Sequence, residues 1–187
     1  MPSYNQGAFL EETLLSLISQ NYSALEIIVI DGGSTDTSLS IIKKYEKYLH
    51  YWVSEKDQGQ SHAINKGLRK ANGEIITWLN SDDYYEPGTL NAIATIFEES
   101  PITDIVHGKS RFFGDYVSDQ IIGTDHTLEI KEYLAYMRFP QPSSFFRQSF
   151  LNASCPLDES LHYGMDFDLL VRALLNGARI HSTPNIL

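Results

Sequence analysis

Residues 73–83 constrain the fold of this 187-residue chain more than any other stretch. They read Gly-Glu-Ile-Ile-Thr-Trp-Leu-Asn-Ser-Asp-Asp, an uncharged apolar run that leads to two adjacent carboxylates, Asp82 and Asp83. Such a run is typical of a strand that helices cover on both faces. Because ligands bind outside the carboxyl ends of the strands in an open parallel sheet, the sequence predicts that both aspartates lie at a binding crevice.

The aspartate pair has two interpretations. Adjacent carboxylates repel each other unless a cation is close, and a hard divalent metal with oxygen ligands is the simplest such cation. Alternatively, one aspartate caps the helix that Pro87 is expected to open. The pair alone does not decide between a metal site and a helix cap.

Composition and charge narrow the possible functions. The chain is 42% hydrophobic and 20% charged, which is typical of a soluble globular protein, and its length predicts one domain. A net charge of -10 argues against a nucleic-acid partner and against general affinity for anionic lipid. An acidic protein that binds phosphates needs a metal, backbone N–H groups or local cations, for which the candidates are Lys66, Arg69 and Arg147.

The single cysteine, Cys155, excludes an intrachain disulfide and favours a reducing compartment. No apolar run approaches the roughly 20 residues of a membrane span, and no signal peptide is expected before Pro2. We therefore expect a cytoplasmic protein, with peripheral association at the inner face of a membrane left open.

Hydrophobic periodicity predicts an α/β fold with a parallel sheet. Residues 1–7 are predicted to be a turn-rich opening with no strand before it. Predicted strands are 25–31, 51–55, 73–79, 104–108, 143–146 and 179–182, with a hairpin at 110–123. Predicted helices are 9–20, 36–49, 60–71, 87–97, 129–137, 148–152 and 166–176, and Ser34 or Asp36 is the expected cap of the second.

Six segments occur in an order and spacing that resemble a known family. They are residues 2–5, 30–36, 57–67, 80–83, 140–147 and 163–170. The segments resemble the inverting, metal-dependent glycosyltransferases of family two, and the resemblance covers residues 2–186. It implies the GT-A fold, an α/β architecture with a mostly parallel mixed sheet flanked by helices. The expected organisation is a single domain over 1–187, with a nucleotide-binding half at 1–100 and an acceptor-side half at 101–187.

The resemblance implies a nucleotide site. Its expected members are Pro2, Ser3, Tyr4, Asn5, Asp31, Gly33, Gln60, Asn65 and Asp82. Asp31 would accept the imide N–H of a uracil-type base, and Asp82 would lie near the ribose. The alternative for Asp31 is a turn residue before Gly32.

The resemblance also implies a divalent metal, Mn or Mg, held by Asp83. The metal would bridge the diphosphate and stabilise the leaving nucleoside diphosphate as a Lewis acid. His162 is a second candidate ligand, and the alternative is an ordinary loop histidine.

Asp166 is the expected catalytic base, because it matches the family residue that deprotonates an acceptor hydroxyl during a single inverting displacement. Asp168 is the rival. Residues two apart in a helix point to opposite sides, so only one of the two acids can face the crevice. The predicted apolar stripe of this helix centres on the side nearer Asp166, which leaves Asp168 toward solvent or Arg172; its members are Phe167, Leu170, Val171 and Leu174. Alternatively, both acids cap the helix N-terminus.

The sequence departs from the family at its start. The family's first strand, which lies in the middle of the sheet, is absent before Pro2, so unpaired inner edges and a gap in the core are expected. The acceptor-side region that usually follows the last strand is also missing. Trp78 is expected to be core packing.

Two functions remain as hypotheses. One is transfer of a sugar from a nucleoside diphosphate sugar, expected to be a UDP-sugar, to a hydroxyl of a saccharide or lipid-linked acceptor. The other is a catalytically silent nucleotide-sugar-binding module. A nucleotidyltransferase would need a Gly-rich basic loop near the N-terminus, which residues 2–7 do not offer. The sequence does not indicate an oligomeric state.

Overall fold

The computed structural model describes residues 1–114, 119–124, 126–136, 138–154 and 156–187. Strands and helices alternate through most of this part. The strands are β1 Pro2–Ser3, β2 Ile28–Asp31, β3 Tyr51–Ser54, β4 Ile75–Ile76, β5 Ile105–Phe112, β6 Gln120–Ile122, β7 Ser144–Arg147 and β8 Ile180–Ile186. The α-helices are α1 Leu10–Ile18, α2 Ser38–Tyr45, α3 Gln60–Leu68, α4 Thr89–Glu99, α5 Ile130–Tyr136, α6 Gln148–Ser154 and α7 Met165–Leu175.

The strands form two groups. β1, β2 and β3 pair in parallel in that order. The second group has the order β4-β7-β5-β6, with β8 paired in parallel to β5 and the remaining pairs antiparallel. The predicted α/β class is confirmed, and the sheet is mixed because β7 runs antiparallel between β4 and β5.

Part of the opening that was predicted to be rich in turns forms a short strand, β1. Pro2 pairs with Ile30 and Ser3 with Asp31, so β1 covers the second half of β2. The expected gap in the core is present: an apolar cavity of about 190 Å³ lies between the start of β2 and β4.

The central run forms less paired strand than its sequence suggests. Only Ile75 and Ile76 pair, with β7, and the pairing is antiparallel. Trp78 is nonetheless 3% exposed and stacks on Phe146 with ring centroids 5.6 Å apart. The prediction of Trp78 as core packing is confirmed, and the buried run leads directly to the aspartate pair.

Neighbouring residues of β5 and β7 belong to different apolar clusters. Phe145 and Val106 pack in the cluster with α1 and α4, whereas Phe146 and Ile105 pack in the cluster with α7. Successive side chains of a strand point to opposite faces, so these two strands are buried on both sides.

Several helix boundaries differ from the prediction. The helix expected from Pro87 begins two residues later, at Thr89, because Gly88 takes a left-handed conformation with φ 87° at the cap. The aspartate pair therefore does not cap this helix. At α2 the cap position is Thr37, while Asp36 accepts the N–H of Ser38 at 2.9 Å.

A buried polar network joins β5, α5 and β8. The His107 Nε2 atom lies 2.9 Å from the Tyr133 hydroxyl and 2.8 Å from the Ser182 Oγ. Burial lowers the pKa of the fully buried His107 to about 4, so the ring is neutral at pH 7.

The remaining predictions concern the second half. The predicted hairpin is confirmed by the pairing of β5 with β6, and residues 115–118 between them lie outside the described residues. Met137, expected at a helix end, and Cys155 also lie outside the described residues. Among the described helices, none has the length and apolar character needed to cross a membrane.

Candidate functional site

Two loops at the carboxyl ends of β1 and β2 are bonded to each other. The Asn5 N–H donates to Ser34 Oγ at 2.8 Å, and Asn5 Oδ1 accepts the N–H of Thr35 at 2.9 Å. The Gly7 N–H donates to Asp36 Oδ2 at 2.8 Å. These bonds make residues 4–7 and 31–38 one continuous surface.

The predicted nucleotide contacts at residues 2–5 differ in their exposure to solvent. Pro2 and Ser3 are buried in β1, so their observed role is strand pairing. Tyr4 is 61% exposed and Asn5 is also exposed. In this structure, Tyr4 and Asn5 are the members of the group whose side chains can reach a ligand.

Asp31 closes β2 with a fully buried carboxylate. Its Oδ2 atom accepts the N–H of Gly33 at 3.1 Å, the N–H of Ser34 at 2.9 Å and the hydroxyl of Ser54 at 2.6 Å. Its Oδ1 atom accepts the Ser34 hydroxyl. A carboxylate has about four lone-pair sites, so the turn already uses its acceptor capacity. These four bonds fit the turn role that was the alternative to base recognition, and contact with a base, which stays a prediction, would require one hydroxyl to turn away.

The turn after Asp31 depends on its two glycines and lies against Asp57, to which the sequence analysis gave no role. Gly33 has φ 82°, and a Cβ atom there would lie 3.2 Å from the Lys56 nitrogen. A Cβ atom on Gly32 would lie 2.8 Å from the Asp57 carboxylate, which accepts the N–H of Gly59 at 2.9 Å. Asp57 thus lies between the turn after Asp31 and the start of α3. The sequence signal that could have identified it is an Asp two residues before a Gly.

The aspartate pair is bonded to the same helix start. Gln60 Nε2 donates to Asn80 Oδ1 at 2.7 Å, and Asn80 Nδ2 donates to Asp83 Oδ2 at 3.1 Å. Asp82 is exposed and Asp83 is half-buried. Burial first, and then the charge of Asp82, raise the pKa of Asp83 to about 6. The predicted repulsion between the two acids is therefore present, and Asn80 is an orienting residue that the sequence did not reveal.

Helix α3 also holds the loop that precedes Asp166. Asn65 donates to the Leu157 carbonyl at 2.9 Å and to the Glu159 carboxylate at 2.8 Å, and it accepts the Leu157 N–H at 2.9 Å. Ser61 Oγ lies 3.4 Å from the Leu161 carbonyl. The buried Asn65 amide therefore uses its hydrogen-bonding groups to hold the loop at residues 157–161. This geometry does not favour the predicted contact between Asn65 and a nucleotide.

Asp166 and Asp168 occupy opposite sides of the first turn of α7. The buried residues of this helix are Met165, Leu169, Leu170, Ala173 and Leu174. The predicted stripe was wrong about Phe167 and Val171, which are half-buried. At 100° per residue Asp166 lies in the middle of the observed buried face, and Asp168 lies about 160° away.

The two acids also differ in their partners. Asp168 forms an ion pair with Arg172 at 2.8 Å. Within the described part of the chain, no hydrogen bond or ion pair engages the Asp166 carboxylate, which is half-buried. Asp166 is therefore the acid with a free carboxylate.

His162 does not join a metal cluster. Its side chain is exposed, and across the described residues no group of three or more His, Cys, Asp or Glu side chains could hold a metal ion. No ion pair neutralises Asp82 or Asp83 in the same described segments. Two unneutralised carboxylates fit a divalent metal whose remaining ligands come from phosphate oxygens and water.

The candidate cations do not surround the aspartate pair. Arg147 pairs with Glu74 and donates to the Thr103 carbonyl at 3.0 Å, at the start of β4 rather than beyond its end. Lys66 pairs with Glu55. Arg69, the third candidate, is exposed at the C-terminal cap of α3, the end opposite Gln60. These positions do not support a role for the three cations in neutralising diphosphate, which leaves metal and backbone N–H groups.

Comparisons with known proteins agree with this arrangement. The family model "Glycosyl transferase family 2" matches residues 1–153. An uncharacterized glycosyltransferase of Rickettsia typhi is 28% identical over 194 residues, which cover 93% of this chain and 57% of the relative.

Two solved structures extend the likeness. Residues 1–349 of S. aureus TarS were solved in complex with UDP and in complex with UDP-GlcNAc. Both structures match 98% of this chain with a TM-score of 0.82 at 25% identity. The match covers 56% of the UDP complex chain and 54% of the UDP-GlcNAc complex chain. Mannosyltransferase PcManGT from Pyrobaculum calidifontis, in complex with GDP-Man and Mn²⁺, shares the fold, with a TM-score of 0.75 at 20% identity over 99% of this chain and 53% of its own. This chain spans just over half the length of these proteins.

The matched range contains the surface at residues 4–7 and 31–38, the start of α3 and the aspartate pair. The structural match to TarS over 98% of the chain adds α7 with Asp166. The chain therefore belongs to glycosyl transferase family 2 and has its GT-A, mixed α/β fold.

Proposed function

We propose that this chain binds a UDP-sugar and a divalent metal, Mn or Mg, and transfers the sugar with inversion to a hydroxyl of a saccharide or lipid-linked acceptor. The observation that carries the proposal is the hydrogen bonding at the start of α3. Gln60 bonds Asn80, which in turn bonds Asp83, while Ser61 and Asn65 bond the loop before Asp166. Asp57, which accepts the Gly59 N–H, approaches Gly32 of the loop after β2 closely. In this proposal residues 1–100 form the nucleotide half and residues 101–187 the acceptor half.

A uridine donor is supported by the TarS complexes with UDP and UDP-GlcNAc. Tyr4 and Asn5 offer an exposed ring and amide at the rim of the same surface. Asp31 lies beneath that surface, and the Ser54 hydroxyl is the donor it can release most easily, because a hydroxyl rotates freely and this one, unlike the Ser34 hydroxyl, is not also held by the Asn5 N–H. Exchange of that bond for an imide N–H would select uracil over bases that lack this donor.

The metal would be held by Asp83, with Asp82 beside it. When bound, it supplies Lewis-acid stabilisation of the leaving diphosphate. Asn80 fixes one Asp83 oxygen, so the other oxygen is oriented for the ligand. Gln60 holds Asn80 in turn, which couples the metal carboxylate to the helix that borders the nucleotide turn.

Asp166 would act as the base. Its carboxylate is free of protein partners in the described residues, so it can accept the proton of an acceptor hydroxyl as that oxygen attacks the anomeric carbon. Attack from the face opposite the diphosphate inverts the anomeric centre.

Calorimetric titration tests the proposal. We expect UDP to bind with manganese present, to bind at least tenfold more weakly in EDTA, and to bind more tightly than ADP. Slow release of UDP from UDP-GlcNAc would show turnover. Metal-dependent binding without turnover would support a silent binding module, and absence of UDP binding would contradict both functions.

A further inference from the structure

An exposed pair of aromatic rings lies next to the aspartate pair. Tyr84 follows Asp83 directly, and its ring centroid is 5.5 Å from that of Phe113, with 51° between the two ring planes. Tyr84 is 38% exposed and Phe113 is 53% exposed. Aromatic side chains stabilise a fold chiefly by being buried, so two rings that touch each other and stay open to solvent beside a candidate site form a candidate ligand surface.

The next residue, Tyr85, differs from Tyr84 in its contacts. Tyr85 is 3% exposed, its ring centroid lies 5.5 Å from that of Phe145, and its hydroxyl lies 3.2 Å from the Thr77 hydroxyl. Tyr85 therefore anchors this segment to the core. The Tyr84 ring points elsewhere, and within the described residues no hydrogen bond engages its hydroxyl.

The direction of the strands explains why the two rings meet beside the acids. β7 runs antiparallel to both β4 and β5, so β4 and β5 run in the same direction. The segment after β4 leads to Asp83 and Tyr84, and Phe113 directly follows the end of β5. Helix α7 packs on these strands and ends shortly before β8, which is parallel to β5, so its first turn with Asp166 lies toward the same edge.

The rings lie on the side of Asp83 that is away from the nucleotide surface. The apolar cavity places β2 beside β4, and β5 lies beyond β7 on the other side of β4. The loops at residues 4–7 and 31–38 follow β1 and β2, whereas Phe113 follows β5. A ligand on the rings would therefore approach the aspartate pair from the side opposite the nucleotide.

The charges near the rings favour a sugar over a lipid surface. Burial first, and then the charges of Glu12 and Glu86, raise the pKa of Tyr84, while Arg111 lowers it. Two carboxylates in a chain of net charge -10 repel an anionic bilayer. A sugar ring instead has a C–H face that stacks on aromatic rings and hydroxyls at its rim, which can bond both carboxylates and a guanidinium group.

We propose that Tyr84 and Phe113 form a platform for a sugar ring of the acceptor, so that the acceptor is a saccharide or carries one. This inference rests on the proposed function and extends it. The C–H face of the sugar stacks on the two rings, and its hydroxyls bond the charged groups at their rim. A sugar held there lies at the edge that carries Asp83 and Asp166.

The test is saturation transfer in NMR from the full chain, with UDP and magnesium present, to methyl β-glycosides of glucose, galactose and N-acetylglucosamine. We expect transfer to the ring protons of at least one sugar. Tyr84→Leu and Phe113→Leu keep an apolar side chain but remove the flat ring, so each should weaken binding of that sugar by about fivefold. Tyr84→Phe and Phe113→Tyr keep the ring and should bind it within about twofold of the unmodified chain.

Another aromatic pair supplies a matched control. The ring centroids of Tyr45 and Tyr48 lie 6.5 Å apart, and Tyr48 is 45% exposed. This pair precedes β3, so it lies at the amino edge of the strands. Tyr48→Leu should leave sugar binding unchanged. Because all three Leu variants replace exposed residues, their Tm should stay within about 3 °C of the unmodified chain.

The outcomes separate the platform from the nucleotide site. Absence of transfer to all three sugars while UDP binds overturns the platform and leaves the proposed function standing. Equal loss in Tyr48→Leu, or unchanged sugar binding in both Tyr84→Leu and Phe113→Leu, also overturns it.

Two other results would assign the rings to another ligand and would equally overturn the proposal. One is weaker binding of UDP-GlcNAc but not of UDP in Tyr84→Leu and Phe113→Leu, which would indicate the donor sugar. The other is loss of binding to vesicles of phosphatidylcholine and phosphatidylglycerol in the same variants, which would indicate a membrane. Absence of UDP binding in the unmodified chain would contradict the proposed function, and saturation transfer to the sugars would still test the platform.

Discussion

Replacement of the two acids in the first turn of α7 gives the sharpest test of the mechanism. Asp166→Asn keeps the size and shape of the side chain but removes its ability to take a proton. Asp168→Asn makes the same chemical change two residues away, on the opposite side of the helix. The pair therefore forms a matched comparison.

The structure sets the expected magnitudes. The Asp168 carboxylate is paired with Arg172 at 2.8 Å, and both side chains are about one third exposed. An i,i+4 pair of this kind stabilises a helix by about 0.3–0.5 kcal/mol, so Asp168→Asn should cost little stability and less than about threefold in rate. Loss of a general base costs about 10²–10⁴-fold, which corresponds to about 3–5 kcal/mol of transition-state stabilisation for Asp166→Asn.

The assay is release of UDP from UDP-GlcNAc with manganese present, in which water replaces the unidentified acceptor. Titration of UDP and a thermal melt accompany each rate. Because the base contacts the attacking hydroxyl and not the nucleotide, both variants should bind UDP within about twofold of the unmodified chain.

A larger loss of turnover in Asp168→Asn than in Asp166→Asn, at equal UDP affinity and equal Tm, would reverse the assignment of the base. Equal losses in both variants would refute the argument from helix geometry.

Three further predictions concern other parts of the molecule. Asp83→Asn should abolish the gain in UDP affinity that manganese gives, measured by calorimetry, while Tm changes by less than about 2 °C; a retained manganese effect would place the metal elsewhere. Asp31→Ala should lower the free energy of unfolding in urea by about 2–3 kcal/mol, because four donors lose their acceptor, whereas Ser54→Ala, which removes one donor, should cost about 1 kcal/mol; equal costs would contradict this account. His107 has a folded pKa near 4, below the ordinary value of 6.5, so its contribution is present above pH 6.5 and is lost as pH falls toward 4. The unfolding free energy should drop by about 3 kcal/mol more over that range than in His107→Gln, and parallel pH profiles would exclude His107 as the cause.

Local pattern in the sequence was enough to predict the class of the fold and the opposite orientation of two acids on one helix. The apolar run before Asp82 and Asp83 identifies a buried segment that leads to the aspartate pair, and the same run placed Trp78 in the core. Helical spacing in α7 separated Asp166 from Asp168, even though two members of the predicted stripe were wrong. These features depend on residues within a few positions of one another, where period and residue type carry the information.

The contacts that assemble the site could not be predicted in this way. Asn65 holds residues 92 and 94 positions away, and Ser61 reaches a carbonyl 100 positions away. Such bonds leave no periodic signal in the sequence. A polar helix residue that bonds a distant segment cannot be distinguished there from one that faces solvent, until its partner is known. The saturated carboxylate of Asp31 is another case, since the Ser54 hydroxyl that completes it comes from the neighbouring strand β3. Which polar groups are already satisfied, and which remain free for a ligand, depends on the packing of distant segments, and that packing exists only in the folded chain.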